Sequence, residues 1–205
     1  MVFPPGLAQR VRGTEGAAAL AGEGTAMRDQ LLGTVQPVLE ISLALGESVV
    51  AAQASGFAWM TDSIQVAVLG GDLPLCVYTA VGESGTVAFA PRLPGRVLGI
   101  DLGEPGRLIR QTGFLAGTPG LRLAADHDYG LPLWHLAGTG RAWVELAGDL
   151  VMHELTAGQS LRVRPRHLGM CDPSIAIQLT QVHGCRPCAV LSGPGIVWLQ
   201  TKDDP

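Results

Sequence analysis

The chain is short of charge, of aromatic rings and of long apolar runs. Charged residues make up 16% of its 205 residues and aromatics 5%, where a typical soluble domain carries roughly 25% charged residues. A monomer of this size needs more charge to cover its exterior, whereas a repeat array or an oligomer hides part of its outer surface. No apolar run reaches the ~18 residues of a transmembrane helix, so a transmembrane protein is not expected. The start, MVFPPGLAQRVRG, lacks the basic stretch and apolar core of a secretion signal. Four cysteines are too few for a disulfide-built scaffold, and reduced thiols in a bacterial cytoplasm are the expected setting. A net charge of −4 gives no whole-molecule attraction to nucleic acid or to an anionic membrane. Gly-x-Ser-x-Gly, a phosphate loop, a paired-glycine nucleotide fingerprint and a His-x-His with a following Glu are all missing. No catalytic residue and no cofactor is therefore expected.

What the chain does have is turns. Its 28 glycines and 14 prolines are spread along the length, and from Val38 onward short apolar bursts are separated by a turn signal every ten residues or so. The bursts predict an all-β fold. They recur with a period of about 55 residues, at about 38–91, 95–147 and 149–201. The unit opens with LEISLALGESVVAA, GIDLGEPGRLIRQ or VMHELTAGQSLRVR. A short turn and strand follow, TDSIQV, TPGLRL or DPSIAI. It closes with two strands entered through Pro74, Pro132 or Pro187 and read as a hairpin. Gly138 and Gly140, and Gly193 and Gly195, flank the tight turns of the second and third copies, where a positive φ favours glycine. Residues 1–33 stand apart as an N-terminal arm, partly helical or irregular, with RDQLLG suited to one or two helical turns.

The repeat bears on the cysteines. In VHGCRPCAV, His183, Cys185 and Cys188 fall in one short loop. Cys188 occupies the place of Leu75 and Leu133, apolar positions expected to be buried, and a reduced cysteine packs as a small hydrophobe. Cys185 has no such counterpart. A zinc site needs four ligands, so His183, Cys185 and Cys188 would require Cys171 or His167 from another strand. A disulfide between Cys185 and Cys188 remains the redox alternative. Ordinary packing is the favoured reading, and no metal is expected.

Three further features carry chemistry-bearing side chains. His127 lies between Asp126 and Asp128, but neighbours on a strand point to opposite faces, so a solvated loop is favoured over a general base. His135 alternates with apolar residues and fits an outer face. Arg162, Arg164 and Arg166 share one face if LRVRPRH is extended, a comb suited to anions or RNA. The plainer reading is a solvated face that discourages edge pairing. RNA recognition also wants neighbouring aromatics, which the comb lacks.

GESVVAA, RQTGFLAGTPGL, SLRVRPRHLGMCDPSI and LSGPGIVWLQT resemble, in sequence and order, the AIM (altered inheritance of mitochondria) family over about Val38 to Thr201. The resemblance implies a fold like that of the trp RNA-binding attenuation protein, a double-stranded β-helix unit present here three times. It implies no catalytic residues. Three expectations follow. The first is a non-catalytic β-scaffold that binds a protein or membrane-associated partner. The alternative is a small-ligand- or RNA-binding module by fold analogy. The last is a homo-oligomer, trimer favoured, with the arm strapped across the interface.

Overall fold

The computed structural model describes residues 27–53, 56–69, 73–126, 130–181 and 187–203. Among them the protein is all-β, with two single turns of 3-10 helix, Gln111–Gly113 and Pro165–His167. A first strand, β1 (Arg28–Leu32), precedes three runs of six. The first run is β2 (Val38–Leu43), β3 (Ser48–Ala52), β4 (Gly56–Met60), β5 (Ile64–Leu69), β6 (Leu75–Ala80) and β7 (Gly85–Ala90). The second is β8 (Gly95–Leu102), β9 (Arg107–Arg110), β10 (Phe114–Gly117), β11 (Leu121–Asp126), β12 (Leu133–Gly138) and β13 (Gly140–Ala147). The third is β14 (Leu150–Leu155), β15 (Ser160–Val163), β16 (Leu168–Cys171), β17 (Ala176–Thr180), β18 (Cys188–Ser192) and β19 (Gly195–Gln200).

Four antiparallel pairings occur within the first run: β2 with β7, β3 with β6, β4 with β7, and β5 with β6. The corresponding four occur in β8–β13 and in β14–β19. Consecutive runs are stitched by one further type of pairing, a second strand to the next run's third strand: β3 with β10, and β9 with β16. Four sheets result. Sheet I is β1-β2-β7-β4, sheet II β5-β6-β3-β10-β13-β8, sheet III β11-β12-β9-β16-β19-β14, and sheet IV β15-β18-β17.

The sheets share three cores. Leu39, Ile41 and Phe89 of sheet I cluster with Val49, Tyr78 and Trp143 of sheet II. The other parity of sheet II, including Leu75, Val77, Phe114 and Val144, clusters with Trp134, Leu136 and Met170 of sheet III. The remaining face of sheet III, with Leu108, Leu133 and Leu168, meets Ala189 and Leu191 of sheet IV. Sheets II and III are thus covered on both faces, and sheets I and IV are the outer layers.

The structure corrects four expectations. The strands after Pro74, Pro132 and Pro187 do begin at Leu75, Leu133 and Cys188, yet they are not hairpins with the strands that follow. β6 and β7 belong to different sheets, as do β12 and β13, and β18 and β19, so the tight turn carries the chain across the sandwich. The paired neighbours are instead β5–β6, β11–β12 and β17–β18. Gly138 and Gly140 take φ of +99° and +150° at such a crossing. Gly193 is needed for a different reason: a Cβ there would sit 2.5 Å from the Leu155 carbonyl oxygen.

The second correction concerns the arm, because RDQLL is a strand and not a helical turn. It pairs with β2 from Arg28–Ser42 to Leu32–Val38, so tertiary pairing overrides the local preference. Residues 1–26 of the arm lie outside the described residues. The third concerns Cys188, which is half-buried, whereas Leu75 and Leu133 are fully buried. Leu75 is covered by sheet III and Leu133 by sheet IV, while Cys188 lies on the parity of β18 that faces away from sheet III. The fourth is the arginine comb. β15 ends at Val163, and the 3-10 turn at Pro165–His167 redirects the chain, so Arg162, Arg164 and Arg166 are exposed but do not line one strand face.

Candidate interaction surface

Among the described residues, the sequence candidates for chemistry do not come together. His183 and Cys185 lie outside the described residues, as do His127 and Asp128. Cys171 is fully buried in the core between sheets III and IV. Burial, reinforced by the Asp172 charge, pushes its thiol up to about 12, so it stays protonated and is a poor ligand for a cation. His167 is engaged through both ring nitrogens, with Nδ1 2.8 Å from the Gln200 carbonyl and Nε2 2.9 Å from an Asp203 carboxylate oxygen. His135 Nε2 lies 2.8 Å from the Pro105 carbonyl. Among the described residues no three of His, Cys, Asp and Glu are grouped as a metal site.

Polar side chains instead lock the joints between strands. Asp29 of β1 accepts from Trp143 Nε1 at 3.0 Å and lies 3.5 Å from Arg141 Nε, tying β1 to the second run. Arg92 Nε donates to Glu145 at 2.8 Å, and its guanidinium also reaches the Thr112 carbonyl. Arg107 links the second and third runs, 3.2 Å from Asp172 with its guanidinium 5.3 Å over the Trp198 ring. Asp172 also accepts from the Ile196 amide at 2.7 Å. These partly exposed pairs set register more than they add stability.

What packing leaves partly exposed is a set of large apolar side chains on strands that end sheets. On β4, Phe57, Trp59 and Met60 are exposed; on β5, Val66 and Val68; on β14, Val151 and Met152. Val68 is 66% exposed and Met152 61%. β4, β5 and β14 are each the last strand of their sheet. Sequence reasoning missed these residues because GFAWM, IQVAVL and LVMHEL are apolar at both parities. That pattern reads as a strand covered on both faces, and here, among the described residues, that cover is absent. Two open clefts flank the sheets. One, of about 430 Å³, lies between the start of sheet I and the turns after Pro94 and Gly148, with Leu31, Val35, Arg96, Asp149 and Lys202 on its walls. The other, of about 420 Å³, is bordered by Leu73, Gln111, Leu131 and Trp134.

A family model described as "Mitochondrial biogenesis AIM24" matches residues 30–202. The chain belongs to the AIM24 family. The match begins within β1 and ends just past β19, so it takes in all four sheets of this AIM24 chain. The crystal structure of protein SPYM3_0169 from Streptococcus pyogenes is similar, with a TM-score of 0.73 at 19% identity. That likeness covers 86% of this chain and 94% of the streptococcal one, and at such identity it speaks for the fold. No curated protein matches. No helix among the described residues is long and apolar enough to cross a membrane.

Proposed function

We propose that this AIM24 protein is a non-catalytic β-scaffold that self-associates and holds a protein or membrane-associated partner on its strand surfaces. The observation that carries this reading is the exposed apolar set on β4, β5 and β14. A soluble surface rarely leaves such residues bare unless they mark an interface. The recurrence of the same four pairings in β2–β7, β8–β13 and β14–β19 supports the finer reading of three attenuation-protein-like units in tandem. A homo-oligomer, three copies favoured, follows from the low charge fraction together with the bare strands. A ligand- or RNA-binding role draws less support, since the 3-10 turn at Pro165–His167 splits the arginine comb.

The test compares the full chain with a Val68→Glu, Met152→Glu variant. Both side chains are exposed, so the variant should melt within a few degrees of the parent. Native mass measurement and chemical cross-linking in cell extract should show partner polypeptides, or flotation should show vesicles, attached to the parent at β5 and β14 and lost from the variant. An unchanged set of contacts in the variant would contradict the reading, and so would a turnover reaction that the purified protein catalyses.

A further inference from the structure

We propose that β4 of one copy pairs antiparallel with β15 of a second copy, so that sheet I of the first and sheet IV of the second become one seven-stranded sheet. The proposal rests on the scaffold reading above and names the surface and polarity of its self-association: a second copy of this chain, joined head to tail.

Bookkeeping of strands points there first. Each junction inside the chain joins a second strand to the next run's third strand, β3 to β10 and β9 to β16. The strands left over are the third of the first run, β4, and the second of the last run, β15. Both end their sheets. They are therefore the two complementary halves of one more junction of the same type.

Burial agrees. β10 and β16 are buried at every position, but β4 is exposed at Phe57, Ala58, Trp59 and Met60. On the other side of the junction, β3 and β9 are buried along their middles, whereas β15 is exposed at Ser160 and Arg162. The shape of β4 agrees too. Its pairing with β7 shifts register between Phe57 and Trp59, and the same shift lies between Phe114 and Ala116 in β10 and between Leu168 and Met170 in β16. β4 thus carries the backbone irregularity of the two strands that do form junctions.

The outer layers tell the same story. In β18, Ala189 and Leu191 are buried against sheet III, while Cys188 and Val190 are half-buried. Their counterparts Leu75 and Val77 are buried because the next sheet covers them. Among the described residues, sheet IV has no such next sheet within its own chain. Joining sheet IV to the following copy's sheet I brings that copy's sheet II over it, as sheet III lies over the first half of sheet II.

The known junctions set the register. Ala116 faces Ala51 and Gly117 faces Val50; Met170 faces Ile109 and Cys171 faces Leu108. Carried to the open strands through their shared partners in the sheets, Trp59 of one copy faces Val163 of the next, and Met60 faces Arg162. The contact is heterologous, so it joins copies head to tail, into a ring where the rotation closes, rather than pairing two identical patches.

Arg162 supplies the test. Met60→Arg places two guanidinium groups opposite each other at every junction, and Arg162→Glu added to it turns each repulsion into an ion pair. Both positions are exposed, so both chains fold. Light scattering of the full chain across a concentration series should show an oligomer for the parent. Met60→Arg should raise the concentration needed for assembly at least tenfold, and the double variant should recover most of that loss. Loss and rescue together support the β4–β15 junction. An oligomer indifferent to Met60→Arg, or weakened without rescue, overturns the junction and leaves the scaffold reading standing. A monomer at every concentration overturns both.

Discussion

β12 and β18 occupy the same place in their runs and meet different fates. Leu133, Trp134, Leu136 and Ala137 of β12 are buried on both parities, while in β18 burial alternates, with Ala189 and Leu191 in and Cys188 and Val190 half out. Each follows a proline, and each pairs with the strand before it and with the second strand of its run. What differs is the layer beyond. β12 has sheet IV over its second face, and among the described residues no further sheet lies over the second face of β18. The lesson is that a strand's burial in this fold is decided by the neighbouring run and not by the strand's own residues.

The largest expected effect tests that difference directly. Leu133→Ala removes a side chain enclosed by the core between sheets III and IV and should cost about 2–5 kcal/mol in chemical denaturation. Val190→Ala on the uncovered face should cost under about 1 kcal/mol in the monomer. Equal costs would break the comparison.

Alkaline pH sharpens it next. The Cys171 thiol lies in a sheet covered on both faces and is raised from 9.0 to about 12. A raised thiol favours the folded state while both states are protonated. That contribution is complete below pH 9 and is lost as pH climbs towards 12. At about 1.36 kcal/mol per unit, the loss approaches ~4 kcal/mol. A Cys171→Ala variant should lose less stability than the parent between pH 9 and 11, and parallel curves for the two would refute the assignment.

Turns come third. Gly138 has φ of +99°, and a Cβ there would stand 2.6 Å from the Gly120 carbonyl oxygen. Gly138→Ala should cost roughly 1–3 kcal/mol. Gly46 has φ of +82° but open space around it, so Gly46→Ala should cost less, and thermal melts of the pair would show whether close approach adds to backbone strain. The smallest effect belongs to the bare edge. Val68→Lys should change stability by no more than about 0.5 kcal/mol, and a larger loss would mean that β5 is covered in the folded monomer.

Much of the fold could be read from the chain. The all-β class, the strand starts after Pro74, Pro132 and Pro187, and the glycine turn at Gly138 and Gly140 are all local matters of turn chemistry and period. The errors were long-range. A tight glycine turn is the same in sequence whether the chain doubles back in one sheet or crosses to the opposite sheet. The RDQLL segment becomes a strand because β2 offers it an edge. Cys188 shares a register with Leu75 but not a covering layer. The exposed β4 carried a signal of its own, GFAWM apolar at both parities, which describes the strand as it would be inside an assembly.

Amide hydrogen exchange on the full-length chain, read by mass spectrometry above and below its assembly concentration, tests the central claim most directly. If β4 pairs with β15 across copies, both strands gain protection together in the concentrated sample, approaching that of β10 and β9, while β14 is unchanged. Rapid exchange of β4 and β15 in an assembled sample, or full protection of both in the dilute monomer, would contradict it.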